Sequence, residues 1–332
     1  MTDDRVTTLR DDLLGGPAAL TALLDAYEAA GGPLDGVGET PGHVGFVGLG
    51  SSRYAGLGAA AALRSAGLPA WADYASTSSE TAPAEDLTLV AVSASGATRE
   101  TVDAARRHRG RSRVLAVTNE SDSPLASAAD HVLPLLAGRE GAGIATRTFR
   151  ATVAVLGLLA GRWLRDDQLT TAALRPAVGG LESVIRDQGS WLSAAAELFD
   201  HADAIDVIGD AADAALVEQA ALMLREAPRL PAEAHDTGDW LHTAVYLAFP
   251  GHRALLFSGA AMDAEVVAAI SRRGGAVVVV GGPVDGAAIT IPLPIGPGRL
   301  QRVLVGSVVA ELLSAELWAR TSAEESAATE LA

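Results

Sequence analysis

The chain of 332 residues contains no cysteine. Disulfides, thiolate nucleophiles and cysteine-ligated metals are therefore excluded. It also contains no lysine, so all 25 basic residues are arginine. No side chain can form a Schiff base with a carbonyl compound. Aromatic residues make up only 4%. The core must be built from alanine, valine and leucine, which suits helices packed tightly on a buried sheet. Basic residues are outnumbered by 41 acidic ones, giving a formal net charge of -16. A field of that sign repels nucleic acid and anionic membrane surfaces, so neither is expected as a partner. It also repels phosphorylated ligands at long range, and a phosphate site would need local donors. Long apolar runs are missing: nothing approaches the ~18 residues that span a bilayer. The start, Met1-Thr2-Asp3-Asp4-Arg5, lacks an apolar signal region. A soluble, cytoplasmic protein is expected.

Hydrophobic residues reach 49%, enough for a sizeable core and too many for bulk disorder. The length suits two modest domains or one large one. Residues 9–30 read as a helix, with Leu13, Leu14, Leu20, Leu23 and Leu24 on one face, stopped by Gly31-Gly32-Pro33. Then the period changes. The run from His43 to Gly48 reads as a buried strand, followed by Gly50-Ser51-Ser52 and an alanine-rich helix. Leu87 to Val92 repeats the pattern, and Val114–Val117 and Val132–Leu135 are further short strands. Residues 147–164 read as a long apolar helix, and residues 165–200 as a polar helical connection. The pattern then recurs. Ala204–Ile208, Ala254–Phe257 and Ala276–Val280 read as strands, with helices from Asp213 to Glu226 and from Gly298 to Trp318. Strands alternating with helices imply an α/β fold of two tandem doubly wound parallel-sheet domains, flavodoxin-like or Rossmann-like. In such sheets ligands bind at the carboxyl ends of the strands.

The two halves differ chemically at those ends. The first carries hydroxyls in both loops: Ser51 and Ser52 after one strand, and Ser93-Ala94-Ser95-Gly96-Ala97-Thr98 after the next. The second offers Gly209-Asp210 and Ser258-Gly259. Hydroxyls at a helix N-terminus suit phosphate, because first-turn N–H groups there are unpaired and point outward. Gly96 permits close backbone approach, and Ser95 and Thr98 can face bound oxygens. The bland alternative is that these serines and threonine merely cap their helices.

The same residues resemble a known family. Gly50-Ser51-Ser52-Arg53-Tyr54-Ala55-Gly56, the Ser93–Thr98 loop, Thr118-Asn119 and Ser123-Pro124-Leu125-Ala126 are similar to a sugar isomerase (SIS) domain. Glu140 and the segment Ala145-Thr146-Arg147-Thr148-Phe149 resemble the family's Glu and Ser-Thr-Lys-x-Phe elements. The resemblance covers about residues 40–320. It is closest to the isomerase half of glucosamine-6-phosphate synthase and its stand-alone relatives, which carry two such domains. It implies a helical segment at 1–38, a phosphosugar-binding domain at 39–168, a connector at 169–200, a second domain at 201–320 and a tail at 321–332. Ser52, Ser93, Ser95 and Thr98 would hold a sugar phosphate, with Ser51, Gly96, Glu140 and Arg147 as further contacts. Ala221-Leu222-Met223-Leu224-Arg225-Glu226 matches the helix of the catalytic glutamate, which falls on Glu226. Gly238-Asp239-Trp240-Leu241-His242 matches the segment of the ring-opening histidine, which falls on His242. In the family that histidine comes from the partner subunit, so a homodimer is implied. No cofactor or metal is expected.

The departures bear on the reaction. Amination would need an N-terminal cysteine; Thr2 follows Met1, and the chain has no room for that domain. The synthase's tail lysine has no counterpart in the acidic tail, and Met223 stands where the synthase has another lysine. Ala94 replaces a glutamine of the phosphate loop, and Thr243-Ala244 replaces a frequent Gly-Pro. Glutamine-dependent amination is not expected. Three readings remain: a phosphosugar isomerase, an amino-sugar-phosphate deaminase, or a non-catalytic sugar-phosphate-binding regulator. The acidic charge and the lack of a DNA-binding module oppose a transcriptional regulator. Glu233, His235 and Asp236 form a cluster that matches no standard metal spacing. Arg53 and Arg147 read first as structural salt-bridge residues, with an anion contact as the alternative.

Overall fold

Leu87 to Val92 is apolar apart from Thr88, and every residue in it is buried. Such a run belongs in the middle of a parallel sheet covered on both faces. The computed structural model describes residues 2–200, 202–296 and 298–330, with side chains from 4 to 323 within those ranges. Met1, Leu331 and Ala332, which belong to the expected terminal segments, lie outside the described residues. The chain divides into two compact units, one of Gly16–Arg139 and Arg147–Val178, the other of Met1–Gly15, Glu140–Thr146 and Gly179–Ala332.

The first unit is built on strands β1 (His43–Gly48), β2 (Ala70–Tyr74), β3 (Leu87–Val92), β4 (Arg113–Thr118) and β5 (His131–Pro134). They form one sheet in the order β2-β1-β3-β4-β5. All pairings are parallel, with Val44 beside Ala70, Phe46 beside Val90, and Val90 beside Leu115. The chain runs one way from β1 to β2 and the other way from β3 onward. A crevice therefore opens between the carboxyl ends of β1 and β3. Helix 147–164 has 15 of its 18 residues buried, as expected of a helix apolar on nearly every face. Helices 16–28 and 51–65 pack on it. Arg150 is its one buried charge, and Gly16 leaves the space its guanidinium fills.

The second unit holds β6 (Ala204–Gly209), β7 (Ala232–Asp236), β8 (His252–Phe257), β9 (Ala276–Val280) and β10 (Ile289–Ile291), all parallel, in the order β10-β9-β8-β6-β7. Counted from its own first strand, this is the connectivity of the first sheet. The duplicated α/β unit expected from the sequence is present, with both sheets doubly wound. Among the described residues, no helix is long and apolar enough to cross a membrane.

Two helices differ from the sequence reading. The expected helix at 9–30 is two helices, Thr2–Leu14 and Gly16–Glu28. Gly15-Gly16-Pro17 breaks them, since proline brings no N–H to continue the first. Helix Thr2–Leu14 packs against the long C-terminal helix, with Arg10 2.7 Å from Glu316. That closing helix does not stop near Trp318 but runs from Arg299 to Glu330. The segment from Ser322 on is rich in alanine and glutamate, which favour helix.

Candidate functional site

The carboxyl edge of the first sheet carries the hydroxyl loops. Ser51 and Ser52 open helix 51–65 directly after β1, and both are half-buried. Gly50 precedes them at φ 52, a backbone that glycine adopts without strain. Ser93 to Thr98 connects β3 to helix 99–108. The two loops flank the crevice between β1 and β3.

The capping explanation does not account for these hydroxyls. Gly50 stands at the N-cap of helix 51–65, and no side chain caps it. Thr98 stands at the N-cap of helix 99–108 and makes no side-chain cap bond. Its Oγ1 lies 2.9 Å from Ser93 Oγ. Ser95 Oγ accepts from Ala97 N at 3.3 Å, within the loop itself. Ser123, by contrast, is an ordinary cap, accepting from Ala126 N at 3.2 Å. Ser95 is exposed, Thr98 is half-buried and Ser93 is buried. Ser93 thus lies beneath the loop and orients Thr98, while Ser95 and Thr98 are the hydroxyls open to a ligand.

The loop is rigid for identifiable reasons. Thr118 Oγ1 donates to Ala94 O at 3.2 Å, and Asn119 N donates to the same carbonyl at 3.0 Å. Leu125 N donates to Gly96 O at 2.9 Å. Asn119 also holds the next loop, accepting from Ala137 N at 3.0 Å. Thr118 and Asn119, recognised in the sequence as part of a motif, thus pin the Ser93–Thr98 loop in place. Gly96 has φ 61, and a Cβ there would lie 2.1 Å from Ser123 Oγ. Gly96→Ala is therefore expected to destabilise the unit by more than the ~1–2 kcal/mol of a left-handed residue, a shift that urea unfolding would register together with weaker phosphate binding.

The corresponding edge of the second sheet is filled by its own charges. Asp263 is buried and its Oδ2 accepts from Gly259 N at 2.6 Å and Ala260 N at 2.9 Å. Arg302 Nε donates to Asp213 Oδ2 at 2.7 Å. A resident carboxylate takes the backbone N–H groups that a bound anion would need. Among the described residues, no carboxylate accepts from an N–H of the Ser93–Thr98 loop.

The remaining sequence candidates fall as follows. Glu226 is the last residue of helix 214–226 and is exposed, with no hydrogen bond or ion pair among the described residues. A carboxylate at a helix C-terminus faces the negative end of the dipole. Surrounding protein raises its pKa above the ordinary carboxylate value by desolvation, and Arg225 opposes this only in part. His242 ends helix 237–242 and is exposed. Met223, one turn before Glu226, is wholly buried, so the site of the family's lysine is core here. Glu140 is turned into its own loop, where its Oε1 accepts from Thr146 N at 2.5 Å and from Thr146 Oγ1 at 2.8 Å. Arg147 donates to Arg139 O at 2.9 Å.

The cluster at 233–236 is structural. Asp206 on β6 accepts from Trp240 Nε1 at 2.5 Å. It lies 2.9 Å from His252 and 3.3 Å from His235. Burial alone would raise the Asp206 pKa, but His235, His252 and Trp240 outweigh it and hold the carboxyl well below its ordinary range. His235 is shifted upward, since Asp206 outweighs the effect of burial. Asp236 caps helix 237–242 through Asp239 N at 2.9 Å and holds Ala211 N at 2.9 Å. Among the described residues no group of three could hold a metal ion. Sequence reasoning missed Asp206, because a lone aspartate in an apolar strand carries no motif.

Residues 40–162 match the SIS domain family. The chain carries a SIS domain. That domain spans β1 to β5, both hydroxyl loops and most of helix 147–164. The SIS chain is 35% identical over 255 residues to a glutamine–fructose-6-phosphate aminotransferase (isomerizing) of Symbiobacterium thermophilum, covering 73% of this chain and 41% of the relative. It thus spans about two fifths of that relative's length. The likeness of fold to solved structures extends through the second unit. The C-terminal domain of the glucosamine-fructose-6-phosphate aminotransferase of Francisella tularensis superposes with a TM-score of 0.81 at 18% identity, covering 95% of this chain and 96% of that one. A tagatose-6-phosphate ketose/aldose isomerase of Escherichia coli superposes with a TM-score of 0.80 at 15% identity, covering 94% and 92%.

Proposed function

We propose that this SIS protein binds a sugar phosphate at the first sheet's carboxyl edge and interconverts its aldose and ketose forms. One observation carries the binding half. The hydroxyls flanking the β1/β3 crevice leave their helices uncapped, whereas the matching edge of the second sheet is closed by Asp263. Phosphate would be held by Ser52, Ser95 and Thr98 and by first-turn N–H groups, with Ser51 and Gly96 beside them and Ser93 below.

The chemistry is assigned to Glu226 and His242, on the resemblance of their segments to the family's catalytic ones. His242 moves the ring-oxygen proton as the sugar opens. Glu226, as carboxylate, takes the proton from C2, leaving a cis-enediolate charged at O1; the O2–H proton passes to O1, and Glu226 returns its proton to C1 as C2 becomes the carbonyl. The isomerizing relative and the ketose/aldose isomerase on the same fold support this reaction class. Amination is left out of the proposal, because no lysine stands at the position of Met223 or elsewhere in these residues. A homodimer and a cytoplasmic setting belong to the same proposal.

The test is incubation with hexose, pentose and amino-sugar phosphates in heavy water. Exchange at C2, followed by NMR, is the expected result for at least one sugar. Ammonia release from an amino-sugar phosphate would instead mark the deaminase branch. Binding without exchange or ammonia release would leave a regulator. Ser95→Ala with Thr98→Ala is expected to weaken sugar-phosphate binding roughly tenfold or more, the worth of two hydroxyl bonds. Titration calorimetry measures this directly.

A further inference from the structure

Arg53 lies in the first turn of helix 51–65, the positive end of the helix dipole. A cation is disfavoured there unless an anion joins it. Its Nε is buried without an acceptor, and no ion pair or hydrogen bond engages its guanidinium among the described residues. The salt bridge expected from the sequence is not formed. Instead the guanidinium carbon stands 4.0 Å from the ring centroid of Tyr74. Tyr74 is the last residue of β2 and is 52% exposed. The ring covers one face of the guanidinium and fixes its plane, leaving the edge N–H groups to donate.

The position matters as much as the missing partner. Strand β1 lies between β2 and β3, so the helix turn that carries Arg53 has Tyr74 at the end of β2 on one side and the Ser93–Thr98 loop after β3 on the other, all at the same sheet edge. Every donor in that second loop is neutral. A phosphate dianion held only by hydroxyls and backbone N–H groups would keep its charge uncompensated in an acidic protein. A pre-oriented guanidinium supplies the missing charge and favours paired bonds to two oxygens.

We propose that Arg53, plated on Tyr74, is the charged element of the anion site and binds the phosphate group of the ligand. The assignment rests on the phosphate-loop reading above and adds a residue to it. The full-length chain is titrated with inorganic phosphate and with a hexose phosphate at low and moderate salt. Arg53→Met is expected to weaken both by about tenfold or more and to flatten the salt dependence, as loss of a charge-assisted pair requires. Arg53→Lys keeps the charge without the planar fork and falls between. Tyr74→Leu frees the guanidinium and weakens binding several-fold. Arg53→Met binding phosphate as tightly as the unaltered chain, while Ser95→Ala with Thr98→Ala does not, overturns Arg53 and leaves the loop. If the unaltered chain binds no phosphate, or the loop variant binds normally, the loop reading falls and takes Arg53 with it. Should Arg53→Met unfold, unchanged affinity in both Arg53→Lys and Tyr74→Leu overturns the proposal.

Discussion

Glu226→Gln is expected to abolish proton exchange at C2 of a bound sugar phosphate and leave phosphate affinity unchanged. The two effects separate because the assigned roles lie on different units. On the proposed assignment the phosphate group is held at the first sheet, whereas Glu226 ends helix 214–226 in the second unit. Removing a positioned general base slows proton transfer by about 10²–10⁴-fold. Glutamine matches the carboxylate in shape, and Glu226 is exposed, so folding is not threatened. The pH dependence follows from desolvation, which raises the Glu226 pKa. The base acts as carboxylate, so the rate falls as pH drops through that raised value. The acid limb of kcat is therefore expected to be displaced upward from the ordinary carboxylate value. The same shift has a stability consequence of opposite sense. The fold favours the protonated form, so ionisation costs stability as pH rises through the window between unfolded and folded values. Glu226→Gln is thus expected to be neutral or slightly stabilising at neutral pH. A variant that loses exchange by losing its fold would show the reverse in a thermal melt.

Asp206→Ala is expected to cost about 3–5 kcal/mol, the penalty for removing one partner from a buried charged network. Asp206 is 7% exposed, accepts from Trp240 and faces two histidines. Its loss leaves a buried indole N–H and two imidazoles without their common acceptor. Asp206→Asn keeps an acceptor for Trp240 and should lose less. The pH signs are opposite for the two kinds of group. The Asp206 pKa is depressed, so its contribution is present above the unfolded carboxylate value and is lost only as pH falls through the lower, folded value. The His235 pKa is raised, so its contribution is fully present below the unfolded value of 6.5 and is lost as pH rises through the folded one. Urea unfolding from pH 6 upward should show the unaltered chain losing an increment that Asp206→Ala lacks. Stability of Asp206→Ala within roughly 0.5 kcal/mol of the unaltered chain, the usual range for a surface change, would remove this network from the account.

The strands readable in the sequence were those whose composition left no alternative. Leu87 to Val92 and Ala276 to Val280 are apolar because both sheet faces are covered, and no surface helix has that pattern. β2 and β7 were missed for the converse reason. Ala70-Trp71-Ala72-Asp73-Tyr74 and Ala232-Glu233-Ala234-His235-Asp236 alternate in polarity, and each is only partly buried. A short partly polar run between loops signals little by itself. The hydroxyl loops stood out because serine and threonine cluster there. Whether their hydroxyls cap helices is a matter of bond geometry, and only the structure separates Ser123, which caps, from Thr98, which does not. The partner of Arg53 was beyond reach for the same reason. Tyr74 is 21 positions away, on a strand the composition did not reveal. Asp263 differs from that case, since it closes the second sheet edge through Gly259 and Ala260, which stand only four and three positions before it.

The central claim is that the Ser93–Thr98 loop takes the phosphate of a sugar phosphate. Titration calorimetry with matched pairs of sugars, each with and without its phosphate, tests it most directly. The account predicts that phosphorylated sugars bind, that their unphosphorylated partners do not, and that Ser95→Ala with Thr98→Ala weakens the phosphorylated ones alone. Equal binding of both members of a pair, or phosphosugar binding untouched by the double substitution, would contradict it.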